Sequence, residues 1–134
     1  MEDDETIGKI LVIEDDETIR DVTGEILGHY GYEVVFAQDG TEAIDLYRSA
    51  QETGTPFDII IMDLTIPGGM GAKETLPRIR ALDSQAKAIV ASGYANDPIM
   101  TEFAQYGFCE RIVKPYQPEA LHQMLRRIIV ASGT

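Results

Sequence analysis

The fold class follows from the stretch FDIIIMD at residues 57–63 and from four shorter apolar runs elsewhere in the chain. With Phe57–Met62 as the central run, the others are Lys9–Ile13, Glu33–Ala37, Ala88–Ala91 and Glu110–Val113. Apolar residues on consecutive positions, many of them β-branched, are typical of parallel strands covered on both faces. The runs therefore predict a parallel sheet of buried strands.

The segments between the runs have the periodicity of amphipathic helices. Apolar residues recur at three- and four-residue steps in two sets, Ile19, Val22, Ile26, Leu27 and Tyr30, then Leu121, Met124, Leu125, Ile128 and Ile129. Strands that alternate with helices predict a doubly wound α/β fold. We expect one such domain at residues 9–130, with an acidic tail at 1–8 and a short tail at 131–134.

The composition argues against a nucleic-acid partner, because 23 acidic residues against 11 basic ones give a net charge of -12. A chain of that charge repels a phosphate backbone. The lone Cys109 excludes an internal disulfide, and the acidic N-terminus does not have the pattern of a signal peptide. No apolar stretch approaches the roughly 20 residues that cross a bilayer. We therefore expect a cytoplasmic location.

Polar residues follow four of the five predicted strands. They are Glu14 and Asp15 after the first strand, Asp63 after the third, Ser92 after the fourth and Lys114 after the fifth. The carboxyl ends of parallel strands lie at one edge of the sheet, where ligands bind in doubly wound folds. The sequence therefore predicts a polar site at that edge.

Three of these residues are carboxylates, which repel one another unless they hold a proton or a cation. Mg²⁺ is bound by a few carboxylates together with water and phosphate oxygens. We therefore expect Glu14, Asp15 and Asp63 to hold Mg²⁺ or Mn²⁺, with the backbone carbonyl of Thr65 as a further ligand.

Asp63 is the candidate nucleophile, since a carboxylate can attack phosphorus when charge on the transferring oxygens is neutralised. Lys114 offers a compact positive charge to a phosphoryl oxygen, and Ser92 offers a hydroxyl to another. Contacts that exist only after phosphorylation can shift an equilibrium between two arrangements of neighbouring loops. Asp16, next to the acidic pair, is interpreted as a helix N-cap.

Four motifs resemble those of the receiver domain of bacterial response regulators, over nearly the whole chain. They are ILVIEDD at residues 10–16, DIIIMDLTIP at 58–67, ASGY at 91–94 and VKPY at 113–116. The resemblance implies a flavodoxin-like (βα)5 receiver fold with strand order 2-1-3-4-5. It also implies that Lys114–Pro115 is a cis peptide bond.

The resemblance implies a two-component phosphorelay, in which a histidine kinase or a histidine phosphotransfer protein donates a phosphoryl group to Asp63. Asp15 would bind Mg²⁺ directly, Glu14 largely through water and Thr65 by its carbonyl, while Ser92 and Lys114 would contact the phosphoryl oxygens. Such a domain assists its own phosphorylation but is not a conventional enzyme. A downstream protein partner would bind the face of the fourth helix and fifth strand.

One position departs from the family pattern, because Arg111 stands where receivers usually carry Tyr or Phe, three residues before the lysine. The segments SGYANDP at 92–98 and PGGMG at 67–71 are most similar to receivers attached to hybrid sensor histidine kinases. The chain is therefore expected to be a stand-alone receiver or a piece of such a kinase.

Three other functions have sequence requirements that overlap in part with this pattern. A flavodoxin-type module would need a phosphate-cradling loop where Glu14, Asp15 and Asp16 stand. A haloacid dehalogenase-type phosphatase would need a second Asp where Thr65 stands. The remaining alternative is a degenerate receiver that acts as a phosphorylation-independent docking module, through an exposed face near Ile99, Met100 and Phe103.

Overall fold

The computed structural model describes residues 7–64 and 71–132. Five strands alternate with helices: β1 (Gly8–Ile13), α1 (Glu17–His29), β2 (Tyr32–Ala37), α2 (Gly40–Glu52), β3 (Ile59–Asp63), α3 (Ala72–Leu82), β4 (Ala88–Ser92), α4 (Pro98–Thr101), β5 (Glu110–Val113) and α5 (Pro118–Ser132). A 3-10 turn at Phe103–Tyr106 follows α4 directly. The predicted alternation of strands and helices is confirmed.

The strands form one parallel sheet in the order β2-β1-β3-β4-β5, as the resemblance implied. All residues of β3 and β4 are buried, which explains their continuous apolar sequences. Observed and predicted strand ends differ by at most two residues; β3 begins at Ile59 rather than Phe57 and includes Asp63.

The two faces of the sheet bury two separate clusters of side chains. Leu11 and Ile13 point to the cluster covered by α2 and α3, whereas Ile10 and Val12 point to the cluster covered by α1 and α5. Such burial on both faces fixes the register of β1. Glu14, which follows β1, is thereby held at the carboxyl edge of the sheet.

Side-chain caps start three of the helices. Asp16 accepts a hydrogen bond from the backbone N–H of Ile19 (3.1 Å), which confirms its predicted role as the N-cap of α1. Asp39 accepts from the N–H of Glu42 (3.0 Å), and Asp97 accepts from the N–H of Ile99 (2.9 Å). These caps fix where the helices begin beyond the strand ends.

Gly107 is required where the 3-10 turn passes into β5, because its φ is +95° and a Cβ atom would lie 2.8 Å from Arg80 Nη1. Arg80 also donates to the Gly107 carbonyl at 2.7 Å. By contrast, Gly28 is exposed in α1, and a Cβ there would meet nothing within 4 Å.

We expect Gly107→Ala to lower the free energy of unfolding by about 1–3 kcal/mol, through backbone strain and displacement of Arg80. Gly28→Ala is the matched control and should raise it by up to about 1 kcal/mol, since alanine favours helix. Urea denaturation of the two variants measures both values. Equal effects of the two substitutions would contradict this account of Gly107.

Candidate functional site

The predicted polar residues lie at the carboxyl edge of the sheet. Glu14 follows β1, Asp63 is the last residue of β3, Ser92 is the last residue of β4 and Lys114 follows β5. Glu14, Asp63 and Ser92 are at most 5% exposed, whereas Asp15 is exposed. The edge therefore combines buried polar groups with an opening to solvent at Asp15.

Lys114 joins the two buried carboxylates. Its Nζ donates to Glu14 Oε1 at 2.8 Å and lies 3.1 Å from Asp63 Oδ1. The Lys114 side chain is 17% exposed, so these ion pairs are screened less than surface pairs are. The peptide bond to Pro115 is cis, as predicted. Lys114 thus places a positive charge beside the candidate nucleophile.

The three carboxylates of the site lie close enough to share one cation. Glu14, Asp15 and Asp63 each offer an oxygen, and these oxygens lie within 4.8 Å of one another. Hard oxygen donors with one member open to water match the preference of Mg²⁺ for incomplete protein coordination. The donor set therefore fits the expected divalent ion.

The electrostatics of the site show that its negative charge is only partly balanced. Burial raises the pKa of Glu14, and the nearby Asp63 charge raises it further, although the hydrogen bond from Lys114 acts in the opposite direction. Burial alone would lower the pKa of Lys114, but its contacts with Glu14 and Asp63 outweigh burial and raise it. Lys114 therefore stays charged at neutral pH, and a cation near Glu14 would favour its ionised form.

Ser92 connects the site to the loop that follows β4. Its Oγ accepts from the backbone N–H of Tyr94 at 3.0 Å, and its carbonyl accepts from the N–H of Lys114 at 2.9 Å. The hydroxyl of Ser92 can still donate its own proton. Thr65, the predicted carbonyl ligand, lies outside the described residues, so its role stays a prediction.

Two side chains beside the site, Tyr94 and Val22, are exposed, and the sequence did not predict this exposure. Tyr94 is 70% exposed and borders the acidic pocket together with Ile19. Val22 was assigned to the apolar face of α1 but is 50% exposed, while Thr23 beside it is fully buried. The sequence carries no local signal for this difference, because Val22 fits the apolar periodicity of α1.

Comparison with known proteins agrees with this geometry. The family described as the response regulator receiver domain matches residues 10–126. The chain therefore belongs to the response regulator receiver domain family, the phosphorylation-controlled signalling domains of two-component systems.

Individual relatives differ in length. The chain is 30% identical to the chemotaxis protein CheY of Thermotoga maritima over 90% of its own length and 96% of that protein. It is 32% identical to the uncharacterised transcriptional regulatory protein YkoG of Bacillus subtilis over 95% of its own length. It spans only 53% of YkoG. The relatives therefore include both a protein of about this length and a protein about twice as long.

Among solved structures, the receiver domain of the sensor histidine kinase PA1611 from Pseudomonas aeruginosa superposes with a TM-score of 0.79 at 24% identity. The match covers 91% of this chain and 97% of that one. That structure has a magnesium ion coordinated in its active-site cleft. The likeness shows the shared fold.

Within residues 7–64 and 71–132, no helix combines the length and the hydrophobicity that a bilayer-spanning segment needs.

Proposed function

We propose that the chain accepts a phosphoryl group on Asp63 from a histidine kinase or a histidine phosphotransfer protein, in a reaction that requires Mg²⁺ or Mn²⁺. The observation that carries the proposal is the buried Asp63 carboxylate, held 3.1 Å from Lys114 Nζ within a cluster of three carboxylates. An aspartate in an exposed turn would have neither a lysine ammonium group nor two further carboxylates beside it.

Glu14, Asp15 and Asp63 would hold the divalent ion, with Thr65 as the predicted carbonyl ligand. When bound, the ion supplies positive charge that offsets the repulsion between carboxylates and the charge on phosphoryl oxygens. Asp15 is exposed while Glu14 is 1% exposed. This difference in exposure supports direct coordination of the ion by Asp15 from the open side, with Glu14 supporting the cluster from beneath.

In the chemical step, an oxygen of the Asp63 carboxylate attacks phosphorus, and the bond from phosphorus to the donor breaks. The donor nitrogen or oxygen leaves with the bonding electron pair, and Asp63 becomes an acyl phosphate. Lys114 stabilises one phosphoryl oxygen by its charge, and Ser92 donates its hydroxyl hydrogen to another. Hydrolysis later removes the group, so the domain is a self-assisting signalling switch rather than a multiple-turnover enzyme.

The proposal is tested by intact-mass measurement after incubation with acetyl phosphate. We expect one added phosphoryl group in the presence of Mg²⁺, none in the presence of EDTA, and loss of the group in alkali, which cleaves acyl phosphates. If neither acetyl phosphate nor a phosphorylated donor protein modifies the chain, the phosphorylation-independent docking function gains support instead.

A groove next to the site is suited to the phosphodonor protein. It measures about 320 Å³ and lies between α1 and the segment after β5, with Ile19, Val22, Pro115 and Tyr116 among its lining residues. Lys114 borders both this groove and the acidic pocket. A helical donor that placed apolar side chains in the groove would hold its phosphohistidine beside Asp63.

We expect Val22→Asp to slow transfer from the phosphodonor protein by about tenfold or more, because it places a charge in an apolar contact. Phosphorylation by acetyl phosphate should not change, since Val22 lies outside the acidic pocket. Glu25→Asp, at an exposed position of the same helix, is the control. Equal transfer rates for wild type and Val22→Asp would rule out docking in this groove.

The output surface is proposed on the face of α4 and β5. The docking alternative expected an exposed face near Ile99, Met100 and Phe103, and that expectation was wrong for Ile99 and Met100. Met100 is fully buried and Ile99 is 9% exposed, because both pack in the cluster under α2 and α3. Phe103 is half-buried. A downstream partner would instead meet the exposed side of this face, where Val113 is 41% exposed.

A further inference from the structure

Arg111 makes a hydrogen bond to the loop after β4 that a phenylalanine at its position could not make. It lies in β5 opposite Val90 of β4 and is half-buried. Its Nη1 donates to the carbonyl oxygen of Ala95 at 3.3 Å. Ala95 belongs to residues 93–97, the loop that begins directly after Ser92.

This loop is held mainly by polar contacts. The Tyr94 N–H donates to Ser92 Oγ at 3.0 Å, and the Asp97 N–H donates to the Tyr94 carbonyl at 3.1 Å. Residues 93–96 are all exposed. A segment with so little buried apolar surface has low local stability, so one additional hydrogen bond has a measurable share in fixing its conformation.

We propose that Arg111 is a positioning residue that holds the loop in its unphosphorylated arrangement. The inference rests on the proposed phosphorylation of Asp63. When the Ser92 hydroxyl turns toward a phosphoryl group, it draws the Tyr94 amide with it and shifts the following residues. That shift lengthens the contact between Arg111 and Ala95, so the contact opposes the active arrangement.

The direction in which loss of Arg111 changes the affinity for a phosphoryl mimic distinguishes a positioning role from a purely electrostatic one. Loss of Arg111 makes an already acidic protein more negative, and charge alone would therefore weaken binding of an anion. Loss of a restraint has the opposite consequence, because less free energy is then spent on moving the loop. Tighter binding of a phosphoryl mimic by a variant with an uncharged residue at position 111 is therefore explained by loss of the restraint and not by the change in charge.

The test measures beryllofluoride affinity with saturating Mg²⁺ for wild type, Arg111→Met and Arg48→Met. Methionine keeps much of the arginine stem but has no donor. Arg48 is half-exposed on α2 and pairs with Asp45, so its variant matches the change in charge far from the loop. We expect about three- to tenfold tighter binding for Arg111→Met and no tightening for Arg48→Met. Unchanged or weaker binding by Arg111→Met would overturn the proposal.

Amide hydrogen exchange in the free protein provides a second readout. The Tyr94 and Asp97 amides should exchange about three- to tenfold faster in Arg111→Met, and the core amides of β3 should be unaffected. Unchanged exchange at both loop amides would also overturn the proposal. If wild type binds no beryllofluoride and takes up no phosphoryl group, the proposed function fails, whereas exchange at these amides still tests the restraint.

Discussion

Asp63→Asn is expected to take up no phosphoryl group under conditions that fully modify the wild-type chain. The amide nitrogen that replaces one carboxylate oxygen removes the negative charge, and an amide is a poor nucleophile toward phosphorus. The substitution hardly changes the volume of this buried position, which is 5% exposed. The loss should therefore be chemical rather than structural, and intact-mass measurement after incubation with acetyl phosphate and Mg²⁺ checks it.

Asp58→Asn is the matched control, since Asp58 lies just before β3, at the opposite end of the strand from Asp63. Its Oδ2 accepts from the Lys9 backbone N–H at 2.8 Å, a bond that the asparagine side-chain oxygen can also accept. This variant should be phosphorylated as wild type is. An adduct of equal extent on Asp63→Asn would place the modification on another residue.

Lys114→Gln is expected to slow phosphorylation by about 100-fold and, at the same time, to tighten Mg²⁺ binding by about tenfold. The rate falls because the transition state loses a charge that stabilises a phosphoryl oxygen. Mg²⁺ binds more tightly because the ammonium group, 2.8 Å from Glu14 and 3.1 Å from Asp63, no longer repels it. Stopped-flow phosphorylation and a Mg²⁺ titration measure the two effects.

Lys87→Gln is the control for the loss of one lysine charge, because Lys87 precedes β4 and lies at the amino-terminal ends of the strands, opposite the site. Neither rate nor Mg²⁺ affinity should change much in that variant. If Lys114→Gln weakened both phosphorylation and Mg²⁺ binding, the lysine would be supporting the fold of the site rather than acting on the phosphoryl group.

The fold and the core of the site followed from local sequence because a parallel sheet turns sequence position into spatial position. Continuous apolar runs fixed the strands, and each strand end placed its next polar residue at one edge. That reasoning identified Glu14, Asp63, Ser92 and Lys114 without knowledge of any distance. Asp16 was recognised as a cap because capping depends on residues only three apart.

The remaining features depend on contacts between distant residues, which local patterns do not encode. Lys114 reaches Glu14 across 100 positions of sequence, so its bridging of both carboxylates was not predicted. Met100 follows Pro98 in a short helix whose apolar side faces the core, and it was wrongly expected on the surface.

The most direct test of the central claim is to locate the phosphoryl group. Borohydride reduces an aspartyl phosphate to homoserine, and peptide mass spectrometry then identifies the converted residue. After treatment with acetyl phosphate, Mg²⁺ and borohydride, we predict homoserine at position 63 in the wild-type chain and unmodified aspartate at positions 15 and 58. Homoserine at any other position, or none in a chain that carries the phosphoryl adduct, would contradict the assignment of Asp63 as the acceptor.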